Sequence, residues 1–113
     1  MAGKPMEKVG GWTFVDEKTG TTSIALPSIF DEVYIEVQIG LNTDIRFVYE
    51  IPYVALENTQ KQYRQGTANN GNYSTVIVLA SKSSVTLYSA AGYSNSAAWD
   101  ATSTSKTRVY VKS

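Results

Sequence analysis

A serine can act as a nucleophile only with a base beside it, and this 113-residue chain contains no histidine and no cysteine. That removes Ser–His and Cys–His catalysis, thiolate metal sites and disulfides together. The acids are Asp16, Glu17, Asp31, Glu32, Glu36, Asp44, Glu50, Glu57 and Asp100, with Glu7 near the start. Cleaving a glycoside needs two carboxyl groups facing each other across the bond. Only Glu36 and Glu50 are placed to do so, and both read as water-facing positions of neighbouring strands. For a hard cation the nearest set is Asn95 with Asp100, too few oxygens for a calcium site. The expectation is therefore a non-enzymatic protein without metal or cofactor.

The remaining chemistry is aromatic. The chain has 8 Tyr and 2 Trp, and several fall in segments that read as loops: Tyr93 and Trp99 in one, Tyr63 and Tyr73 flanking another. Asparagines accompany them, Asn95 in the first and Asn69, Asn70 and Asn72 in the second. A flat ring covers the C–H face of a sugar while amides bond its hydroxyls. The same equipment serves a protein interface, where Tyr and Trp carry much of the binding energy, or caps a core with a hydroxyl in water. Trp99 is singled out because Ser96, Ala97, Ala98 and Ala101 offer it nothing large to pack on. The candidate ligand-binding set is Tyr93 or Trp99 as stacking platform, with Asn95 and Asp100 bonding hydroxyls. Trp12, set in a strand, is assigned to the core.

These residues hang on strands. Val33-Tyr34-Ile35-Glu36-Val37-Gln38-Ile39 alternates apolar and polar residues strictly, which buries one face and wets the other. The same pattern recurs over 11–16 (with Val15 departing from it), 21–26, 45–51, 84–91 and 106–112, while 73–80 reads as a central strand apolar on both faces through Val76, Ile77, Val78 and Leu79. Gln60 to Gly66 is polar apart from Tyr63 and reads as an edge strand. Turns fall at Glu17–Gly20 and Gly40–Thr43, and residues 92–100 read as a long loop. A short helical turn over 28–31 would let Ile29 and Phe30 plug one end of the core. The expected core is Val33, Ile35, Val37, Ile45, Phe47, Ile77, Leu79, Val85, Leu87, Val109 and Val111. Eight to ten strands with turn signals every 8–12 residues describe an all-β antiparallel sandwich, jelly-roll-like, with at most one or two helical turns.

A chain of this length makes one domain and buries roughly two-thirds of its unfolded surface. Residues 1–10 read as a flexible arm and 11–113 as the sandwich. Ten basic and ten acidic residues leave no net charge, so clustered cations for nucleic acid or an anionic membrane are missing. No apolar run approaches the roughly 20 residues that span a bilayer, and Met1 to Lys8 lacks the apolar core of a signal peptide. The chain is expected to be made in the cytoplasm or cut from something larger, with neither nucleic acid nor membrane insertion among its partners.

Gly11-Trp12-Thr13-Phe14-Val15, Thr19-Gly20-Thr21-Thr22, Leu26-Pro27 and Phe30-Asp31-Glu32-Val33-Tyr34-Ile35 follow one another in order. Ile51-Pro52-Tyr53 and the closing Ser103 to Val111 come later. This succession resembles small β domains in structural proteins of tailed bacteriophages and prophages, and covers about residues 11–112. Such domains occur as tail-fibre or receptor-binding tips, head fibres and capsid decorations. The resemblance implies a virion protein made in the host bacterium, assembled as a homotrimer with other virion proteins. Its implied function is recognition of a host-surface receptor, a glycan, with a structural decoration or adaptor role as the alternative. Fibre tips follow a long shaft, whereas ten residues precede the first strand here. The motifs are structural and bring no catalytic residues with them.

Overall fold

The computed structural model describes residues 8–9, 11–41 and 45–113, with side chains from Gly11 onward. In chain order the strands are β1 (Lys8–Val9), β2 (Trp12–Thr19), β3 (Ile24–Ala25), β4 (Glu32–Gln38) and β5 (Arg46–Pro52). They continue as β6 (Lys61–Asn69), β7 (Asn72–Ala80), β8 (Ser84–Ser94), β9 (Ala97–Asp100) and β10 (Lys106–Lys112). One sheet runs β1-β2-β10-β4-β5 and the other β3-β8-β7-β6, with β9 added to β8. All pairings are antiparallel. The chain is an all-β sandwich, as the alternation requires. Its two ends share a sheet through β2 and β10, as in a jelly roll, while β4–β5, β6–β7 and β7–β8 are plain antiparallel neighbours.

Alternation fixes which residues are inside. Val33, Ile35 and Val37 of β4, Phe47, Tyr49 and Ile51 of β5, and Val109 and Val111 of β10 supply one wall of the core. Val76, Val78 and Ala80 of β7 and Val85, Leu87 and Ala90 of β8 supply the other. Each fully buried Val, Leu or Ile contributes about 1.5–3 kcal/mol. Of the expected core residues, Ile77 is buried but lies out of phase with Val76 and Val78 and outside the main cluster, and Leu79 is only half-buried on that same side. Residues 76–79 are apolar on both alternating sets, so periodicity alone could not choose between them. Ile45 is half-buried against the core rather than within it.

The helical turn expected over 28–31 is not there. Phe30 is buried, but Ile29 is 83% exposed. A 3-10 turn, Tyr53–Ala55, takes that end of the sandwich instead. The Tyr53 N–H donates to the Asp31 carbonyl at 2.8 Å, and the Phe30 and Tyr53 rings meet edge-on at 5.0 Å. Within the arm assigned to residues 1–10, Lys8 and Val9 pair with Thr13 and Trp12 and so belong to the sheet. Of the hairpin tip expected over 40–43, Asn42 and Thr43 lie outside the described residues. The polar strand β6 does stand at a sheet edge.

The Ser/Thr run after β9 is built of specific bonds. Thr102 Oγ1 accepts from the Ala90 N–H at 2.9 Å. The buried Ser105 hydroxyl donates to the Ala101 carbonyl at 2.7 Å and accepts from the Gly40 N–H at 2.9 Å. This ties the end of β4 to the crossover from β9 to β10. A Cβ on Gly40 would run into the Thr104 backbone, which cannot retreat without breaking those bonds. Gly40→Ala should therefore cost about 1–3 kcal/mol in urea unfolding, as overpacked sites do.

Candidate recognition surface

The residues that could hold a ligand come from the outer face of the β1-β2-β10-β4-β5 sheet. Burying Val109 and Val111 turns Arg108, Tyr110 and Lys112 outward. Burying Val33, Ile35 and Val37 does the same for Glu32, Tyr34, Glu36 and Gln38. Strand β2 joins them because its register sets Trp12 opposite Lys112 and Phe14 opposite Tyr110. Beyond Phe14 the register shifts by one residue, leaving Val15 as the extra residue of a bulge. Val15 packs against the core, and Glu17 still lands opposite Arg108. The break in alternation at Val15 is that bulge.

Four rows therefore cross β2, β10, β4 and β5: Trp12–Lys112–Glu32–Pro52, Phe14–Tyr110–Tyr34–Glu50, Glu17–Arg108–Glu36–Val48 and Thr19–Lys106–Gln38–Arg46. The first two rows hold four rings in mutual contact. Phe14 meets Tyr110 at 5.5 Å and 68°, Tyr110 meets Tyr34 at 5.7 Å and 82°, and Trp12 meets Tyr34 at 5.5 Å and 57°. Trp12, Tyr34, Tyr110 and Glu36 line a hollow of about 300 Å³. The Lys112 ammonium stands over the Trp12 ring, 5.0 Å from its centre. Trp12 is thus half-exposed on the solvent side, not in the core. Its sheet face could not be read without the β2–β10 register.

The third and fourth rows are ionic. Arg108 donates from Nε to Glu17 at 2.6 Å and from Nη1 to Gln38 at 3.1 Å, and its Nη1 is 3.4 Å from Glu36. Arg46 reaches the other Glu36 oxygen at 3.2 Å. Burial works against the Arg108 cation, but Glu17 and Glu36 outweigh it and raise its pKa. The Tyr34 phenol is also held above its ordinary value, by burial first and then by Glu36 and Glu50. Glu36 and Glu50 do not form a facing pair. Glu36 sits opposite Val48 and Glu50 opposite Tyr34, and both Glu36 oxygens are engaged by arginines. Among the described residues no group of three His, Cys, Asp or Glu is set to hold a metal.

The residues picked out from the 92–100 segment lie elsewhere. That segment is a hairpin rather than a loop: β8 runs on to Ser94, Asn95 and Ser96 turn the chain with φ of 52° and 63°, and β9 returns. Two positive φ values are the signature of a tight type I′ turn. Trp99 pairs with Gly92, packs half-buried against the core, and would lie 2.5 Å from a Cβ on that glycine. The large neighbour that its own segment lacked is therefore the opposite strand and the sandwich interior. Tyr93 stacks on Tyr73 at 6.0 Å and 11°. Both line a depression of about 450 Å³ with Trp99, Asn69 and Asn72. Asn95 stands at the turn. Asp100 accepts from the Thr102 N–H at 2.9 Å, and Thr102 lowers its pKa. The structure thus joins Tyr93 and Trp99 at one depression and Trp99 and Asp100 at a second, of about 540 Å³, with Asp100 also bonded back to Thr102, and leaves Asn95 apart.

The outward phase of Tyr34 and Tyr110 was already implied by their buried neighbours. What the sequence lacked was the pairing of β10 between β2 and β4, which brings Trp12 and Phe14 beside them. Compared with family models, with curated proteins and with solved structures, the chain matches none.

Proposed function

We propose that this chain is a non-enzymatic recognition domain of a bacteriophage virion, holding a host-surface glycan on the outer face of the β1-β2-β10-β4-β5 sheet. The observation that carries the reading is the set of four rings displayed to solvent beside an ion-paired row. Rings cover the C–H faces of a sugar. Arg108 and Gln38 offer charged and amide partners for its hydroxyls, and hydrogen bonds to charged groups are the stronger ones. Because Arg108 and Glu36 already hold each other, little side-chain freedom remains to be lost on binding. The virion setting rests on the motif succession from Gly11 to Val111, and with it a homotrimer contacting other virion proteins.

The test is binding of the purified chain to arrayed bacterial surface polysaccharides. Trp12→Ala and Tyr34→Ala should each weaken binding by about 30-fold or more, as removal of a binding hot spot worth about 2 kcal/mol does, and should move the urea midpoint little. The same rings would suit a subunit contact in a decoration or adaptor protein. If Tyr34→Ala dissociates an oligomer in sedimentation while the unaltered chain binds no polysaccharide, the face is a subunit contact and the glycan reading is lost.

A further inference from the structure

We propose that the hollow between Trp12, Tyr34 and Tyr110 seats an ammonium or trimethylammonium group carried by the ligand, in competition with the Lys112 ammonium that stands over the Trp12 ring. This rests on the preceding reading of the same face and narrows it to a glycan with a cationic substituent.

Three observations point to a cation. The first is a cation already held by one of the rings: Lys112 places its charge 5.0 Å from the centre of the Trp12 ring, within the distance at which the ring quadrupole attracts a cation. The second is the wall geometry. Tyr34 and Tyr110 meet at 82° and Trp12 closes on Tyr34 at 57°, so the faces belong to three different planes around one hollow. A flat sugar ring stacks best on a single plane, whereas a compact, roughly spherical head gains from several. The third is the charge around the rings. The two aromatic rows carry Glu32 and Glu50 as their acids and Lys112 as their cation, and Glu36 lines the hollow with its side chain 14% exposed. Glu36 is shared with Arg46 and Arg108 and supplies field rather than a free partner. A trimethylammonium head has no N–H groups to strip of water, so it competes well with a strongly hydrated lysine for a seat built of rings.

Choline and 3,3-dimethylbutan-1-ol have the same shape and differ in charge, so the two together test the seat. Titrations are followed by NMR at the Trp12 indole N–H, assigned with Trp12→Phe. Choline should shift this signal and bind about 5-fold or more tighter than the neutral alcohol, the factor expected of a cation–π contact worth about 1 kcal/mol. Lys112→Met, which removes the competing charge from the Trp12 ring, should strengthen choline binding several-fold, and Tyr34→Ala should abolish it. Equal binding of the alcohol, weaker choline binding by Lys112→Met, or no shift at Trp12 would each overturn the proposal. Binding of uncharged polysaccharides without any choline response would overturn it and leave the glycan reading standing. Choline binding with no polysaccharide bound would do the reverse.

Discussion

Trp99→Ala should lower the unfolding free energy by about 3 kcal/mol in urea denaturation and leave ligand binding on the opposite sheet unchanged. Truncating a core Trp costs about 3–5 kcal/mol, and the lower figure applies because this ring is half-buried. It packs against the core and lies across Gly92, the residue it pairs with. No neighbouring side chain on β9 fills the space, since Ala97 and Ala98 precede it and the exposed Asp100 follows. The opposite result, a normal unfolding midpoint with glycan binding lost, would move the recognition site to the β8–β9 hairpin.

Between pH 10 and 12 the protein should lose about 2–3 kcal/mol of stability through Tyr49 alone. Its hydroxyl donates to the carbonyls of Val76 and Tyr63 at 3.1 and 3.2 Å, tying β5 to the facing sheet. Burial pushes its pKa from 10.0 up to about 12. A group whose folded pKa lies above its unfolded value contributes fully below the unfolded one, and the contribution fades as pH rises towards the folded one. A separation of about two units is worth about 2.7 kcal/mol. Other tyrosines and lysines titrate in the same range, so the measurement is the difference from Tyr49→Phe. That variant should be weaker by about 1 kcal/mol at pH 7, the worth of its lost hydrogen bonds. It should then overtake the unaltered chain as pH rises and stand about 1–2 kcal/mol more stable near pH 12. A gap that stays constant would mean that the Tyr49 phenolate forms without cost.

The fold was legible wherever one alternating set was apolar and the other polar. Val33 to Ile39 placed β4 and its inward face from sequence alone, and the polar stretch from Gln60 marked an edge. It was illegible where both sets were apolar. Val76, Ile77, Val78 and Leu79 could be inward in either phase, and the choice lies with neighbouring strands. Segments 28–31 and 92–100 show a second kind of limit. Phe30 is buried by docking on Tyr53, which no local helical pattern encodes, and the Asn95-Ser96 turn sits among small polar residues that look like loop. The candidate surface was half-readable. Tyr34 and Tyr110 are outward by their own neighbours' burial, but a solvent-facing Trp12 needs the long-range register with β10, more than ninety residues away in sequence.

The separation between inner and outer faces has a consequence for how such a domain can change its target. Residues two apart on a strand are about 6.6 Å apart, so alternate rows of the outer face lie about 13 Å from each other. Sites that far apart contribute independently, and exposed positions clear of bonded networks tolerate exchange within about 0.5 kcal/mol. Trp12 in the first row and Thr19 or Lys106 in the fourth can therefore be altered one at a time, each with its own effect on specificity. The third row is the exception, because Glu36 is held by two arginines and must change together with them. A new binding preference would then arise by single codon changes at the margins of the face, with the valine and isoleucine interior left as it is.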